Sequence, residues 1–377
     1  MITNMNIKRA VVCALCLVVL TLSVCLIVSP KKEFSENENR YLTKFPALSA
    51  KAVLGGEYTA SLNDWLADHF PMRDFFVGLK SQAEIASGRR AINQVYIADD
   101  DYLIESYAAP QNTARITDTL VSFYQKIDRT SVDVKLMLVP TAVTIYSDKL
   151  PQNAPASSQM ETAQAIYSAS GIPSVDCARW LADNASQGQL YYRTDHHWTT
   201  LGAYCAYLAY CDAKKLTPVS LDSLTAQTVT EAFAGTLYSR VNDYSHKKDS
   251  ITLYTNPADD LTVTYLDTGE VTDSLYNLDY LEEKDKYSLF LNNIHPLIKI
   301  ENQNADSQES LMLIKDSYAN SMVPFLAHHY STIYVFDTRY YRDGPSSFLS
   351  EHPEIQNVLL LYNMNTLDTD TGIRGIY

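Results

Sequence analysis

The sequence predicts an α/β fold in which a mostly parallel sheet is sandwiched between helices, and three observations point to it. Apolar runs suited to strands covered on both faces occur at 132–140 (VDVKLMLVP), 311–315 (LMLIK), 332–336 (TIYVF) and 357–362 (NVLLLY). Helical patterns alternate with these runs, and strand–helix–strand order needs crossovers that leave neighbouring strands parallel. The length of 377 residues, with 46% apolar and 20% charged side chains, supplies the core of one large α/β domain with additions, or of two domains, and excludes a disordered chain.

The first element in order is VVCALCLVVLTLSVCLIV, residues 11–28, which carries no charge and is flanked by Lys8 and Arg9 and by Pro30, Lys31 and Lys32. Eighteen helical residues reach about 27 Å, close to the hydrocarbon thickness of a bilayer. A cleaved signal peptide and a lipoprotein signal ending at Cys25 compete with an anchor. However, Val24 stands where a small residue should precede that cysteine, and Leu26, Ile27 and Val28 continue the apolar run. The expectation is therefore an uncleaved transmembrane anchor over 1–30. Flanking cations balance and do not orient it. Anchors of this form usually export the domain that follows, so a single-pass cell-membrane protein with its domain outside the cytoplasm is expected.

Residues 31–105 read as a polar stalk, a helical region and a hairpin. Leu62, Trp65, Leu66 and Phe70 recur at helical spacing, as do the apolar residues of FFVGLKSQAEIA. The hairpin NQVYIADDDYLIES turns at Asp99, Asp100 and Asp101, a cluster that reads as a solvated turn rather than a metal site. Residues 106–377 form the main domain. Helices are expected at 112–129, 159–170 and CARWLADNA, with a short strand IPSVD between the last two. At about 216–300 the runs ITLYT, LTVTYLD and YSLFLNN predict an inserted antiparallel patch.

The chain has 30 Lys and Arg against 44 Asp and Glu, a net charge of −14, which excludes nucleic acid as a partner and disfavours a strongly anionic polymer. Cys13, Cys16 and Cys25 lie in the apolar run. Cys177, Cys205 and Cys211 lie beyond it without CxxC spacing, so neither a disulfide framework nor a structural zinc site is expected.

The densest chemical cluster is RTDHHWTTLGAY, residues 193–204. Thr199 or Thr200 can cap a helix running from 201 to about 211. Asp195 and His197 share one face of extended backbone, so Asp195 can accept from His197 Nδ1 and leave Nε2 as a general base. A nucleophile is offered by Ser317 in LMLIKDSYANSM, at a sharp turn where a buried strand ends and a helix begins, with its N–H available to an oxyanion. Asp-Ser is also an ordinary N-capping pair, and the flanks are not G-x-S-x-G.

TDHHWTTLGAY, LIKDSYANSMVPFLAHHYSTIYVFDTRYY and the early ENRYLTKFP together resemble the DHHW protein family, named for Asp195-His196-His197-Trp198. That family is similar to SGNH-hydrolase-like O-acetyltransferases of the alginate type. The resemblance implies a three-layer α/β/α fold with circularly permuted motif order and a catalytic domain over 106–377. Asp195 then matches the orienting acid, His197 the base and Ser317 the nucleophile. It also implies a polysaccharide acceptor and a membrane-bound O-acyltransferase that delivers the acyl group, with no cofactor and no metal. Lys315 stands where that pattern has glycine and is expected to alter access to Ser317. Asn293 is the expected oxyanion donor, in Phe290-Leu291-Asn292-Asn293 where the pattern has glycines. Trp198, Arg339 and Tyr340 are expected at the substrate cleft, although surface packing accounts equally for Arg339, Tyr340 and their neighbours Asp337 and Tyr341. A carbohydrate esterase with the same triad and a non-catalytic glycan-binding or assembly protein stay open. A manganese phosphoesterase built on Asp-His-His is disfavoured, because no convincing Asp-x-Asp partner motif lies on an N-terminal strand and an exported acidic protein fits that role poorly. His328 and His329 are read as a structural helix end.

Overall fold

The computed structural model describes residues 2–35, 40–155, 157–367 and 372–376, so Glu38 and Asn39 of ENRYLTKFP lie outside the described residues. The chain divides into two compact units, residues 1–89 with 239–245 and residues 90–238 with 246–377.

In the first unit, helix α1 (Ile2–Val28) contains the segment Ile7–Val28, which is long and apolar enough to cross a membrane and is not buried by protein. After it come the two-residue strands β1 (Phe34–Ser35) and β2 (Arg40–Tyr41), paired antiparallel, then helices α2 (Ala50–Leu54), α3 (Glu57–Asp68) and α4 (Arg73–Ala86). Asp68 holds this segment together by accepting from Arg40 and from the N–H and hydroxyl of Thr43, both at 2.8 Å. The Arg40 guanidinium keeps its carboxyl well below the usual range.

The second unit begins with a small antiparallel sheet, β3 (Ala91–Ile92), β4 (Val95–Ile97) and β5 (Leu103–Glu105). The expected hairpin is this sheet, and it falls in the second unit rather than with the stalk. Along the chain follow α5 (Thr113–Lys126), β6 (Asp133–Val139), α6 (Ala142–Ile145), α7 (Gln159–Ser170), α8 (Cys177–Asn184), α9 (Thr200–Lys214), β7 (Thr225–Phe233), α10 (Thr236–Val241) and β8 (Asp249–Thr255). The last stretch holds β9 (Leu261–Tyr265), β10 (Glu270–Thr272), β11 (Leu297–Asn302), β12 (Ser310–Lys315), α11 (Val323–Leu326), β13 (Thr332–Phe336), α12 (Pro345–Glu351) and β14 (Ile355–Asn363). IPSVD contributes a single parallel bridge, Leu136 to Ser174, and no strand.

The central sheet has seven strands in the order β10-β9-β11-β13-β12-β14-β6. It is mixed rather than mostly parallel. Strands β13, β12, β14 and β6 run parallel, whereas β11 is antiparallel to both β13 and β9, and β10 is antiparallel to β9. The cause lies in the middle section, where β9 and β10 are joined by a tight turn closed by Gly269 at φ 75°, and so short a connection permits only antiparallel pairing. LTVTYLD therefore extends the main sheet instead of forming a separate patch. ITLYT belongs to the separate β7–β8 hairpin. YSLFLNN is not a strand, because Leu291, Asn292 and Asn293 all take positive φ while Tyr287, Leu289 and Phe290 pack into a local cluster with Tyr192, Phe233 and Ile251.

Strand β12 shows how the layers form. Leu311 and Leu313 pack in the cluster that includes Leu181 of α8 and Ala206 of α9, whereas Met312 and Ile314 pack with Leu120 of α5 and Ile166 of α7. Alternate side chains thus bury against helices on opposite faces of the sheet. Cys177, Cys205 and Cys211 are buried free thiols in this core. The four parallel strands share one carboxyl edge, and the candidate site is built there.

Candidate functional site

Strand β12 is buried along its whole length and stops at Lys315 because Asp316 turns the chain. The Asp316 carboxylate accepts from Tyr318 N at 2.9 Å, capping the 3-10 turn Ser317–Ser321, and its other oxygen accepts from Asn363 N at 2.6 Å, Asn363 Nδ2 at 2.8 Å and Thr366 Oγ1 at 3.0 Å. The Ser317 turn is therefore tied to the end of neighbouring β14. Burial pushes the Asp316 carboxyl up, against these hydrogen bonds.

The segment bearing Asp195 and His197 is fixed from both sides. Thr199 caps α9, accepting from Gly202 N at 3.2 Å and donating to Gln189 O at 2.6 Å. Gly202 is required there, since a Cβ would run into Leu190 O and Trp198 Cβ. Before the motif, buried Asp249 accepts from Gln189 Nε2 at 2.6 Å, Arg193 N at 2.9 Å, Thr194 N at 2.8 Å and Thr194 Oγ1 at 2.6 Å. Burial raises the Asp249 carboxyl despite these donors.

These supports bring three sequence-predicted residues together. His197 Nδ1 lies 2.6 Å from Asp195 Oδ1, and His197 Nε2 lies 2.8 Å from Ser317 Oγ. Asp195 Oδ1 also accepts from His197 N at 3.0 Å, and Oδ2 accepts from Thr236 N at 2.8 Å and Thr236 Oγ1 at 3.0 Å. Gly235 lets that loop approach, because any Cβ there would collide with the Asp195 side chain.

Both members of the pair are buried. Burial opposes ionisation of Asp195, yet the adjacent imidazoles and the donated hydrogen bonds outweigh it and hold the carboxyl well below the usual range. Burial and the neighbouring His196 lower His197 from 6.5 to about 4, against the pull of Asp195. At neutral pH the imidazole is uncharged with Nδ1–H directed to Asp195, so its Nε2 lone pair faces the Ser317 hydroxyl.

The remaining predicted residues take definite places. Trp198 is fully buried, donating from Nε1 to Tyr318 O at 2.8 Å and Ser321 Oγ at 2.9 Å; it props the Ser317 turn instead of lining a cleft. Lys315 is buried too, with Nζ 3.5 Å from Asp337 Oδ2, so its cation is drawn to the end of β13. Arg339 donates to Asp337 from Nε at 2.8 Å and Nη2 at 2.5 Å, and its charge depresses the proton affinity of both His197 and Asp316. Tyr340 is exposed, its ring 5.6 Å from the Arg339 guanidinium carbon. The Asn293 Oδ1 accepts from Ser288 Oγ at 3.2 Å. His328 and His329 pair with Asp306 at 3.6 Å and 3.2 Å, and His329 also bonds Tyr207 OH at 2.6 Å.

Three contributors have no counterpart in the motif reading. Thr236 and Asp249 hold the motif as described. Tyr287 stacks on the His197 ring, centroids 3.8 Å apart and 9° from parallel, and donates to Ser317 O at 3.1 Å. Asp195, His196 and His197 also place ligand atoms within 4.8 Å of one another, a spacing that suits a cation. Four hydrogen bonds already converge on the Asp195 oxygens, and a cation there would compete with each.

Comparison with known proteins gives three results. The family model described as DHHW protein matches residues 79–336. Among solved structures, a DHHW family protein from Eubacterium siraeum is 27% identical with a TM-score of 0.66, covering 75% of this chain and 96% of that one. Bacillus cereus PatB1, solved with a sulfonyl adduct, is 19% identical with a TM-score of 0.60 over 74% of this chain and 97% of that one, a likeness of fold. A curated relative, the probable alginate O-acetylase AlgJ of Pseudomonas syringae pv. tomato, is 24% identical over 176 residues, 44% of this chain. The chain spans under half the length of the curated relatives it matches, 45% and 41%.

Proposed function

The chain belongs to the DHHW protein family, and we propose that it is a membrane-anchored serine O-acyltransferase that acylates a polysaccharide outside the cytoplasm. The observation that carries this reading is the continuous relay Asp195, His197, Ser317 at the carboxyl edge of the sheet. The similarity to an O-acetylase supports acyl transfer, and the chain order Asp, His, Ser accords with a permuted SGNH-hydrolase-like arrangement.

In the first half-reaction the Ser317 hydroxyl proton moves to His197 Nε2 as Oγ attacks the acyl carbonyl. Asp195 stabilises the imidazolium. The Ser317 N–H, first in the 3-10 turn, and the Asn293 amide donate to the tetrahedral oxyanion. The leaving oxygen departs with the proton from His197, and the acyl group remains on Ser317. A sugar hydroxyl then gives its proton to His197 and takes the acyl group, which restores the serine. On the outer face of a membrane the acyl group has to be delivered, and a membrane-bound O-acyltransferase is the partner this reading calls for.

The test supplies a chromogenic acetyl ester with and without a neutral oligosaccharide, and follows both chromophore release and acetylated sugar by mass spectrometry. Wild type releases chromophore and acetylates the sugar, while Ser317→Ala does neither. Release with no acetylated sugar, for every acceptor tried, assigns the site to an esterase instead.

A further inference from the structure

In a helix packed on a protein core the apolar stripe faces inward and the polar stripe faces water. Helix α4 does the reverse. Its buried positions are Gly78 and Ser81, with the Tyr244 ring closing over Gly78. Met72, Phe75, Phe76 and Leu79, spaced i, i+3, i+4 and i+7, point away from the protein, with Met72 65%, Phe75 56% and Leu79 50% exposed. Leu66 and Phe70 at the end of α3 continue the stripe, and the Phe70, Phe75 and Phe76 rings touch edge to face at 5.8 Å and 5.4 Å. A contiguous aromatic and aliphatic patch of this kind needs a cover.

The same unit says what the cover is. Phe70, Met72 and Arg73 line a cavity of about 280 Å³ together with Ser29, Pro30 and Lys31, the residues at which α1 ends. His69 Nε2 is 3.3 Å from Lys32 O, and Lys31 Nζ sits 5.4 Å from the Trp65 ring. The patch thus starts where the apolar helix stops. Charge does not oppose this: beyond Val28, on the side of the span that carries α3 and α4, the unit has nine Lys and Arg against nine Asp and Glu and is neutral, in a chain whose total is −14. Cations at the foot of an apolar span, beside an outward apolar stripe, match the chemistry of anionic headgroups above acyl chains.

We propose that α4, with the end of α3, is an interfacial helix whose stripe of Phe70, Met72, Phe75, Phe76 and Leu79 is sunk into the membrane surface beside α1, with Lys31, Lys32 and Arg73 at the level of the lipid phosphates. The chain then meets the membrane twice, by a span and by a helix lying in the interface. This rests on α1 being a span and is independent of the chemistry at Ser317.

The full chain is reconstituted in vesicles of phosphatidylcholine and phosphatidylglycerol with or without bromine on the acyl chains. Tryptophan is introduced singly as Leu79→Trp or Ala83→Trp, both solvent-facing positions on the outward side of α4 that fill no core space. The expected result for both is added emission, relative to wild type, that is blue-shifted and quenched by the brominated lipid. Added emission at the water-exposed maximum, insensitive to bromine, overturns the proposal. So does a blue shift that grows only as the protein-to-lipid ratio rises, which assigns the stripe to a second copy. Retention of wild type in the membrane through an alkaline carbonate wash reports on α1 alone, so failure of the span and failure of the stripe give different results.

Discussion

His197 Nε2 lies 2.8 Å from Ser317 Oγ although 120 residues separate them in sequence. The geometry makes the proton state of His197 decisive. Because burial lowers its value from 6.5 to about 4, the imidazole is uncharged throughout the neutral range, as the proposed base role requires. The acyl-transfer rate of the free enzyme should rise with pH through about 4 and be flat above it, up to neutrality. A rate that instead climbs through 6.5 contradicts the buried, uncharged imidazole.

The same group makes stability depend on pH. Between about 4 and 6.5 the unfolded chain binds a proton at His197 that the folded protein does not. Stability from this group is therefore complete above 6.5 and is lost as pH falls toward 4. Urea titrations should show wild type losing more stability over that window than His197→Gln.

Thr236 and Gly235 hold the acid in place. Thr236→Val removes a donor to Asp195 Oδ2 while keeping the backbone donor. It should lower kcat roughly tenfold, the effect of about one hydrogen bond to a charged group, with KM little changed. Gly235→Ala forces Asp195 to move, and should cost about 1–3 kcal/mol of stability as well as activity.

Trp198 and Tyr287 support the serine turn by different bonds. Trp198→Phe leaves Tyr318 O without its indole donor in a buried setting and should destabilise the fold by about 1–3 kcal/mol in thermal melts. Tyr287→Phe keeps the ring that stacks on His197 and loses the hydroxyl that bonds Ser317 O and Ser321 Oγ, both at 3.1 Å. Its activity should fall by roughly three- to tenfold, and that of Tyr287→Ala by more.

The buried cation at Lys315 gives an asymmetric pair of outcomes. Asp337→Ala leaves Lys315 and Arg339 without their shared carboxylate and should cost about 3–5 kcal/mol. Lys315→Met removes the charge that needs the partner, and should cost far less in the same denaturation assay.

Asp195, His197 and Ser317 were legible because each lies in a short segment whose local chemistry is explicit. Adjacent Asp and His precede a Thr-capped helix, and Asp-Ser follows a buried apolar run. Thr236, Tyr287 and Asp249 were not, since they act across 41, 30 and 55 or more residues and none carries a local pattern. Gly235, next to Thr236, marks the close approach of that loop to Asp195, but a lone glycine does not say what it approaches. The partner of Lys315 was not legible either, because Asp337, just past the end of the neighbouring parallel strand, lies 22 residues away in sequence. The parallel half of the sheet followed from its apolar runs. The antiparallel half did not, because short runs broken by turns specify strands without saying which sheet receives them.

The central claim is that Ser317 is a nucleophile activated by His197. A fluorophosphonate probe followed by peptide mass spectrometry tests it directly. Wild type should be labelled on the peptide carrying Ser317. Labelling should disappear in Ser317→Ala and fall by about a thousandfold or more in rate in His197→Ala, with both variants still folded by circular dichroism. Equal labelling of all three proteins, or a label on any other residue of wild type, would contradict it.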